Sequence, residues 1–183
     1  MSEAAAAARQ ERRAQLKDRR RELVLEAAQR VFGRVGLEGA TMRAIAAEAG
    51  YAVGALYQHF ASREQIYGEL LARSLAQLGR RVRAAITAGA PADARVRAAA
   101  RAFFEYYRER PDELSLGLYL SRGAAPRGLG PELDRLLNGR LIGVLALIAE
   151  PLRELMGGAM APAHRATARL TALIVGALIL ETT

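Results

Sequence analysis

The sequence contains no cysteine. Disulfides, thiolate metal sites and a cysteine nucleophile are therefore excluded. Its two histidines, His59 and His164, lie far apart in the chain, and no HExxH-type pair exists. No zinc site is expected from such a set. No run of alternating β-branched residues predicts a strand, and no internal repeat is visible. No nucleophile–base set, phosphate loop or metal-ligand spacing is found, so neither an enzyme nor a cofactor is expected. The N-terminus is alanine-rich and then basic, without the long apolar core of a secretory signal. The most apolar stretch, Leu170–Leu180, falls short of the ~20 residues that span a bilayer. The expectation is a soluble cytoplasmic protein without a membrane partner. The chain stops directly after that apolar run, and the sequence leaves open whether the natural C-terminus extends beyond Thr183.

What is present is apolar surface and positive charge. The 183 residues are 51% hydrophobic, enough for one ordinary domain or two small ones sharing a core. Lys+Arg outnumber Asp+Glu by 27 to 19, which favours a polyanionic partner. The excess is N-terminal: residues 1–83 carry a net +6 and residues 84–183 a net +2. Arg9, Arg12, Arg13, Lys17, Arg19, Arg20 and Arg21 stand against Glu11 and Asp18 alone. Residues 1–20 read as a basic arm, either a solvated helical tail or an arm that follows a phosphate backbone or enters a minor groove.

The remainder reads as helix after helix. Leu23, Val24, Ala27, Ala28, Val31 and Phe32 form one face of a first helix over 21–34. Gly36 and Gly39 turn the chain, and Thr41 caps a short helix over 42–49. Gly50 supplies the left-handed residue that stops it. A second short helix starts near Ala52 or Val53, with Leu56 and Phe60 inward. Ser62 and Gln65 form a capping box for a longer helix to about Ala88. Short helix, tight turn, short helix is the helix-turn-helix layout. It needs small residues where backbones approach, here Ala46, Ala49 and Gly50.

The run Thr41-Met42-Arg43-Ala44-Ile45-Ala46-Ala47-Glu48-Ala49-Gly50, then Gly54-Ala55-Leu56-Tyr57-Gln58-His59-Phe60 and Ser62-Arg63-Glu64, resembles the signature of the TetR family of bacterial repressors. Upstream, Leu25-Glu26-Ala27-Ala28 through Val31-Phe32 and Gly36 resemble its first helix, so the match spans residues 23–66. The resemblance implies an all-α chain with an N-terminal three-helix DNA-binding domain (21–67) and a C-terminal helical domain (68–183) for dimerisation and effector binding. Thr41, Tyr57, His59 and Arg63 match family positions that contact phosphates. Each has a structural alternative: a plain cap for Thr41, a core aromatic for Tyr57, a packed histidine for His59, a first-turn residue for Arg63. Tyr51, Ala52 and Val53 depart from the family's usual valine, serine and lysine. That leaves Arg43, Gln58 and Tyr51 to read base edges, with Gly54 in the reading helix and Ala52, Val53 and Ala55 facing thymine methyls.

Beyond residue 75 the resemblance fades. Helices are expected over 91–110 (inward face Val96, Ala99, Ala100, Phe103, Phe104, Tyr107), from 112 to about 121, from Pro131 with a kink at Pro151, and over about 163–181. Phe103, Phe104, Tyr107, Leu118, Tyr119 and Arg122 are candidates to line a cavity for a small apolar or amphipathic effector, with a plain core as the alternative. The last helix is apolar on all sides, which a small domain cannot bury alone. Leu141, Leu145, Leu170, Leu173, Ile174, Ala177 and Leu178 are therefore expected at a homodimer interface, with a larger intramolecular core as the alternative. The functional expectation is a ligand-responsive repressor of a palindromic operator in double-stranded DNA; the alternative is an activator or architectural protein without an effector.

Overall fold

The computed structural model describes residues 3–119 and 128–181. Among these the chain forms eight helices and no strand: α1 (Glu3–Gly39), α2 (Met42–Ala49), α3 (Val53–Tyr57), α4 (Arg63–Ala85), α5 (Ala92–Arg108), α6 (Pro111–Tyr119), α7 (Pro131–Leu155) and α8 (Met160–Glu181). The all-α expectation holds. Two compact units divide between Leu70 and Leu71, inside α4.

The first unit is built on α1. Val24, Ala27, Ala28, Val31 and Phe32 are buried as the periodicity expects, while Leu23 of that face is only half-buried and Leu25, outside it, is buried. They pack with Ile45, Ala46, Leu56, Phe60, Ile66 and Tyr67, all nearly inaccessible. The Phe32 and Tyr67 rings meet edge-on at 5.0 Å, a favoured aromatic geometry. Truncating a ring such as Phe60 in a core this close-packed costs roughly 3–5 kcal/mol. Two features sharpen the sequence reading. Helix α1 begins at Glu3, so the basic arm is helical and continuous with the packed segment. Gly36 interrupts it with φ 68 and ψ −180, which lets buried Leu37 turn inward.

In the second unit, α5 is central. Its buried residues are Ala99, Ala102, Phe103, Tyr106 and Tyr107. The expected face named Val96, Ala100 and Phe104, which are only half-buried, and missed Tyr106. A tyrosine can be buried when its hydroxyl finds partners. The Tyr106 hydroxyl lies 3.1 Å from the Ser74 carbonyl and donates to the Glu113 carboxylate. Burial and that carboxylate raise the phenol above its ordinary range. Pro151 sits inside α7, and the helix runs on to Leu155.

Glu109 follows α5 and takes two hydrogen bonds from Arg81 of α4, at 2.5 and 2.7 Å. This guanidinium holds the Glu109 carboxyl down at about 2, below its ordinary 4.5. A depressed carboxylate stabilises the fold fully above its unfolded value and loses that contribution as pH falls through the folded one. The stability difference between native chain and Glu109→Gln should therefore be constant above pH 4.5 and shrink between 4.5 and about 2. Urea melts across this range measure it; a difference independent of pH would refute the pairing.

Candidate nucleic-acid interface and ligand cavity

The α2–α3 corner is assembled from local rules. Thr41 has extended backbone, and its Oγ1 accepts from the Ala44 amide at 3.1 Å, closing the N-terminus of α2. Gly50 ends α2 at φ 72, and the Tyr51 amide donates to the Ala46 carbonyl at 2.9 Å. A side chain at that φ costs roughly 1–2 kcal/mol. Ala52 precedes α3 with no side-chain cap, the consequence of lacking a serine hydroxyl. Helix α3 has five residues, too few to be stable alone. It is held from below by Leu56 and Phe60 and followed by a capping box displaced by one residue. In that box Ser62 accepts from the Gln65 amide at 3.2 Å, while Gln65 accepts from the Ala61 amide at 2.6 Å.

Thr41, Arg43, Ala52, Gly54, Tyr57 and Gln58 are exposed. Tyr57 is 56% exposed, which rules out its core-aromatic alternative. Val53 is half-buried. Tyr51, Ala55, Gln58 and His59 come together around one cleft of about 220 Å³, shared with Arg20 and Val24 of α1. Tyr51 thus divides its ring between the surface and this cleft. Arg63 is turned elsewhere: its Nη1 donates to the carbonyls of Glu38 (2.9 Å) and Ala40 (2.6 Å), and its Nε to Glu64. These bonds tie the end of α1 to the start of α4.

Sequence reasoning overlooked Arg21 as a structural group, counting it only as arm charge. Its guanidinium pairs with Glu69, donates to the His59 carbonyl at 3.0 Å, and lies 4.3 Å over the Phe60 ring. Its place at the border between charge run and apolar face was the available signal. His59 is half-buried, and its Nδ1 is buried without a hydrogen-bond partner. Burial first, then Lys17, Arg21 and Arg20, push its pKa below 6.5. Arg30 and Arg34 both bond the Glu48 carboxylate, at 2.7 and 2.6 Å, which lowers that group's pKa.

The second unit holds a half-open cavity of about 530 Å³. Phe103, Tyr107 and Leu118 line it as expected, with Leu71, Leu75, Leu137, Leu141 and Val175 completing an apolar wall. Phe104 does not; it packs against the core and under Arg108. Arg122 and the Tyr119 side chain lie outside the described residues. Polar lining groups that the sequence did not reveal are Asp134, Asn138 and Thr171. The Thr171 hydroxyl is buried and unpartnered. The Asp134 carboxylate accepts the Leu129 amide at 2.8 Å. Burial raises the Tyr107 phenol to about 12.

The apolar face of α8 needs correction. Ile174 and Leu178 are buried within their own unit, 8% and 1% exposed, and cannot serve a second copy. Leu173 (72%), Ile179 (43%) and Leu180 (80%) are bare, as is Ala177, while Leu170 is half-buried. On α7, Leu141 is exposed and Leu145 half-buried. Counted whole, α8 is long and apolar enough to cross a membrane by length and composition, where the shorter stretch Leu170–Leu180 was expected to fall short.

Residues 24–70 match the model of the bacterial regulatory proteins of the tetR family. A curated relative, the HTH-type transcriptional activator FasR of Mycolicibacterium smegmatis, is 39% identical over 90 residues, covering 49% of this chain and 41% of that protein. The chain spans less than half the length of the curated relatives it matches. A solved proposed transcriptional regulator from Pseudomonas aeruginosa PAO1 superposes with TM-score 0.73 at 28% identity, covering 89% of this chain and 79% of that one. A tetR-family regulatory protein from Rhodococcus RHA1 gives 0.76 at 18% identity, over 87% and 83%.

Two outcomes test the site geometry. Arg63→Ala leaves the Glu38 and Ala40 carbonyls without their donor and should lower unfolding free energy by roughly 1–3 kcal/mol. Arg43→Ala, at an exposed position, should stay within about 0.5 kcal/mol. Denaturant melts that rank the two the other way would overturn the clamp. The His59 ring should titrate below pH 6.5 by NMR and move upward in Lys17→Gln; a midpoint above 6.5 would contradict its burial among cations.

Proposed function

We propose that this chain is a regulator of the tetR family, whose model matches residues 24–70, and that it acts as a dimeric, ligand-responsive repressor of a palindromic operator. In this reading its general role is transcription regulation. The observation that carries the reading is the short helix α3, held rigidly from one side while Tyr57, Gln58, Gly54 and Ala52 stay exposed on the other, beside Arg43. In this reading Arg43, Gln58 and Tyr51 meet base edges, and Val53 and Ala55 approach thymine methyls. Thr41, Tyr57 and His59 position the helix on phosphates, and Arg63 supports them from behind. Two copies place α3 in successive major grooves about 34 Å apart.

Dimerisation uses the bare row of α8 and the outer side of α7. An apolar or amphipathic effector occupies the 530 Å³ cavity, with Thr171, Asn138 and Tyr107 as polar handles. Binding would favour one subunit arrangement and so change operator affinity, a coupling that must be reciprocal. The chain is read as cytoplasmic. A second reading, activation, is favoured by the name of the FasR relative; a reporter fused to the regulated promoter separates the two by the sign of its response.

The test is a mobility shift on DNA adjoining the chain's own gene. Specific binding is expected, and Arg43→Ala should weaken it by about 5- to 150-fold, the 1–3 kcal/mol of a base contact. Folded protein that shows no specific binding at low salt would remove the DNA-binding reading.

A further inference from the structure

We infer that the N-terminal part of α1 is a rigid, one-faced basic helix that tracks the phosphates of duplex DNA flanking the site read by α3. This rests on the DNA-binding reading above and extends it to residues outside the helix-turn-helix.

The first observation is continuity. Helix α1 runs without interruption from Glu3 to its break at Gly36. Residues 7–20 therefore keep the phase of the packed segment that follows them. All of them are exposed, and none contributes to the core. A free segment of this length is a marginal helix in water. Here the nucleus is supplied by the packed residues after Arg21, and the extension continues from it.

The second is the angular sorting of charge. Successive helical residues rotate by about 100°. On that basis Arg9, Arg12, Arg13, Lys17, Arg19 and Arg20 fall within one arc of about 160°, joined only by Leu16. Every other position of 7–20, Glu11 and Asp18 included, falls outside the arc. A solvated tail has no need of such sorting. It also costs stability, because Arg9, Arg13, Lys17 and Arg21 repeat at i,i+4 spacing and repel one another. A dense row of phosphates removes that repulsion.

The third is direction. Arg20 lines the cleft formed by Tyr51, Ala55, Gln58 and His59. Lys17, Arg20 and Arg21 act on the His59 ring. The basic arc thus opens toward the same side as the α3 residues.

The helical state also selects the mode of contact. A helix with side chains is about 10–12 Å across, whereas the minor groove is about 6 Å wide. An arm entering the minor groove would have to unwind. A helical one lies along the backbone instead, where 14 residues reach about 20 Å. That length corresponds to roughly six base pairs of flank.

The experiment uses the full chain and a 40-base-pair duplex that it selects from a random-sequence library, together with versions of that duplex trimmed at the flanks. Replacing Arg9, Arg12, Arg13 and Lys17 by glutamine should lower the slope of log affinity against log salt by about 3–4 and weaken binding about 30-fold or more at 0.1 M salt. The ratio of selected to scrambled duplex should not change. Trimming the flanks should weaken the native chain and leave the four-residue variant indifferent. Gln15→Pro keeps every charge but breaks the helix off the basic arc, and it should lose the flank dependence as well. Thermal unfolding should match the native chain for both variants.

An unchanged salt slope in the four-residue variant would overturn the proposal. So would a Gln15→Pro chain that keeps full flank dependence, because the arm would then act as a flexible tether. Loss of binding to vesicles of 30% phosphatidylserine without loss of DNA affinity would assign the surface to lipid and overturn it too. Failure of the native chain to select any duplex would instead remove the DNA-binding reading itself.

Discussion

The guanidinium of Arg21 is the contact on which the first unit turns. It joins α1 to α4 through Glu69, to the chain after α3 through the His59 carbonyl, and to the core through the Phe60 ring. A charge-assisted hydrogen bond is worth more than a neutral one, and more again when partly shielded from water. Helix α3 has five residues and no side-chain cap, so its geometry must come from its neighbours. Leu56 and Phe60 fix its depth, and Arg21 fixes where it ends. Arg63 does the same work at the far side, through the carbonyls of Glu38 and Ala40. A reading surface that contacts a rigid ligand is useful only when its own position is over-determined.

These clamps also sort the positive charge. The formal net charge is +8, but the cations do different jobs. Arg30 and Arg34 are engaged by Glu48, Arg21 by Glu69 and Arg81 by Glu109. The arc of α1 from Arg9 to Arg20 carries its charge on exposed side chains. Net charge therefore overstates what an anionic partner would meet in one place and understates how concentrated it is in another.

The local grammar was legible in the sequence. Thr41, Gly50, Ser62 and Gln65 act through bonds to residues at most five positions away, so their roles could be read from spacing. The core face of α1 was legible because its apolar residues are sharply segregated from charged ones. Three things were not legible. Whether the basic arm was a helical tail or a groove-following arm could not be decided from periodicity, since none of residues 7–20 is buried. The rotation of α5 depends on acceptors for the Tyr106 hydroxyl that lie on α4 and α6. The cavity's polar handles, Asn138 and Thr171, are uncharged polar residues in helices of mixed character, and only tertiary packing decides whether such a residue faces water or a void. Helix α8 taught a related lesson: a helix that is apolar all round does not say which side its own fold takes, and Ile174 and Leu178 went inward.

That helix has a colloidal consequence. Its inner side faces core and cavity, while Leu173, Ile179 and Leu180 are left bare. Much of its C-terminal half therefore shows apolar side chains to water, and its hydropathy reaches the level of a bilayer span. A lone copy is then kept dispersed chiefly by mutual repulsion between like-charged molecules. Binding a polyanion cancels that repulsion. The bare row must already be covered when the charge is neutralised, or neutralisation itself will draw copies together through α8.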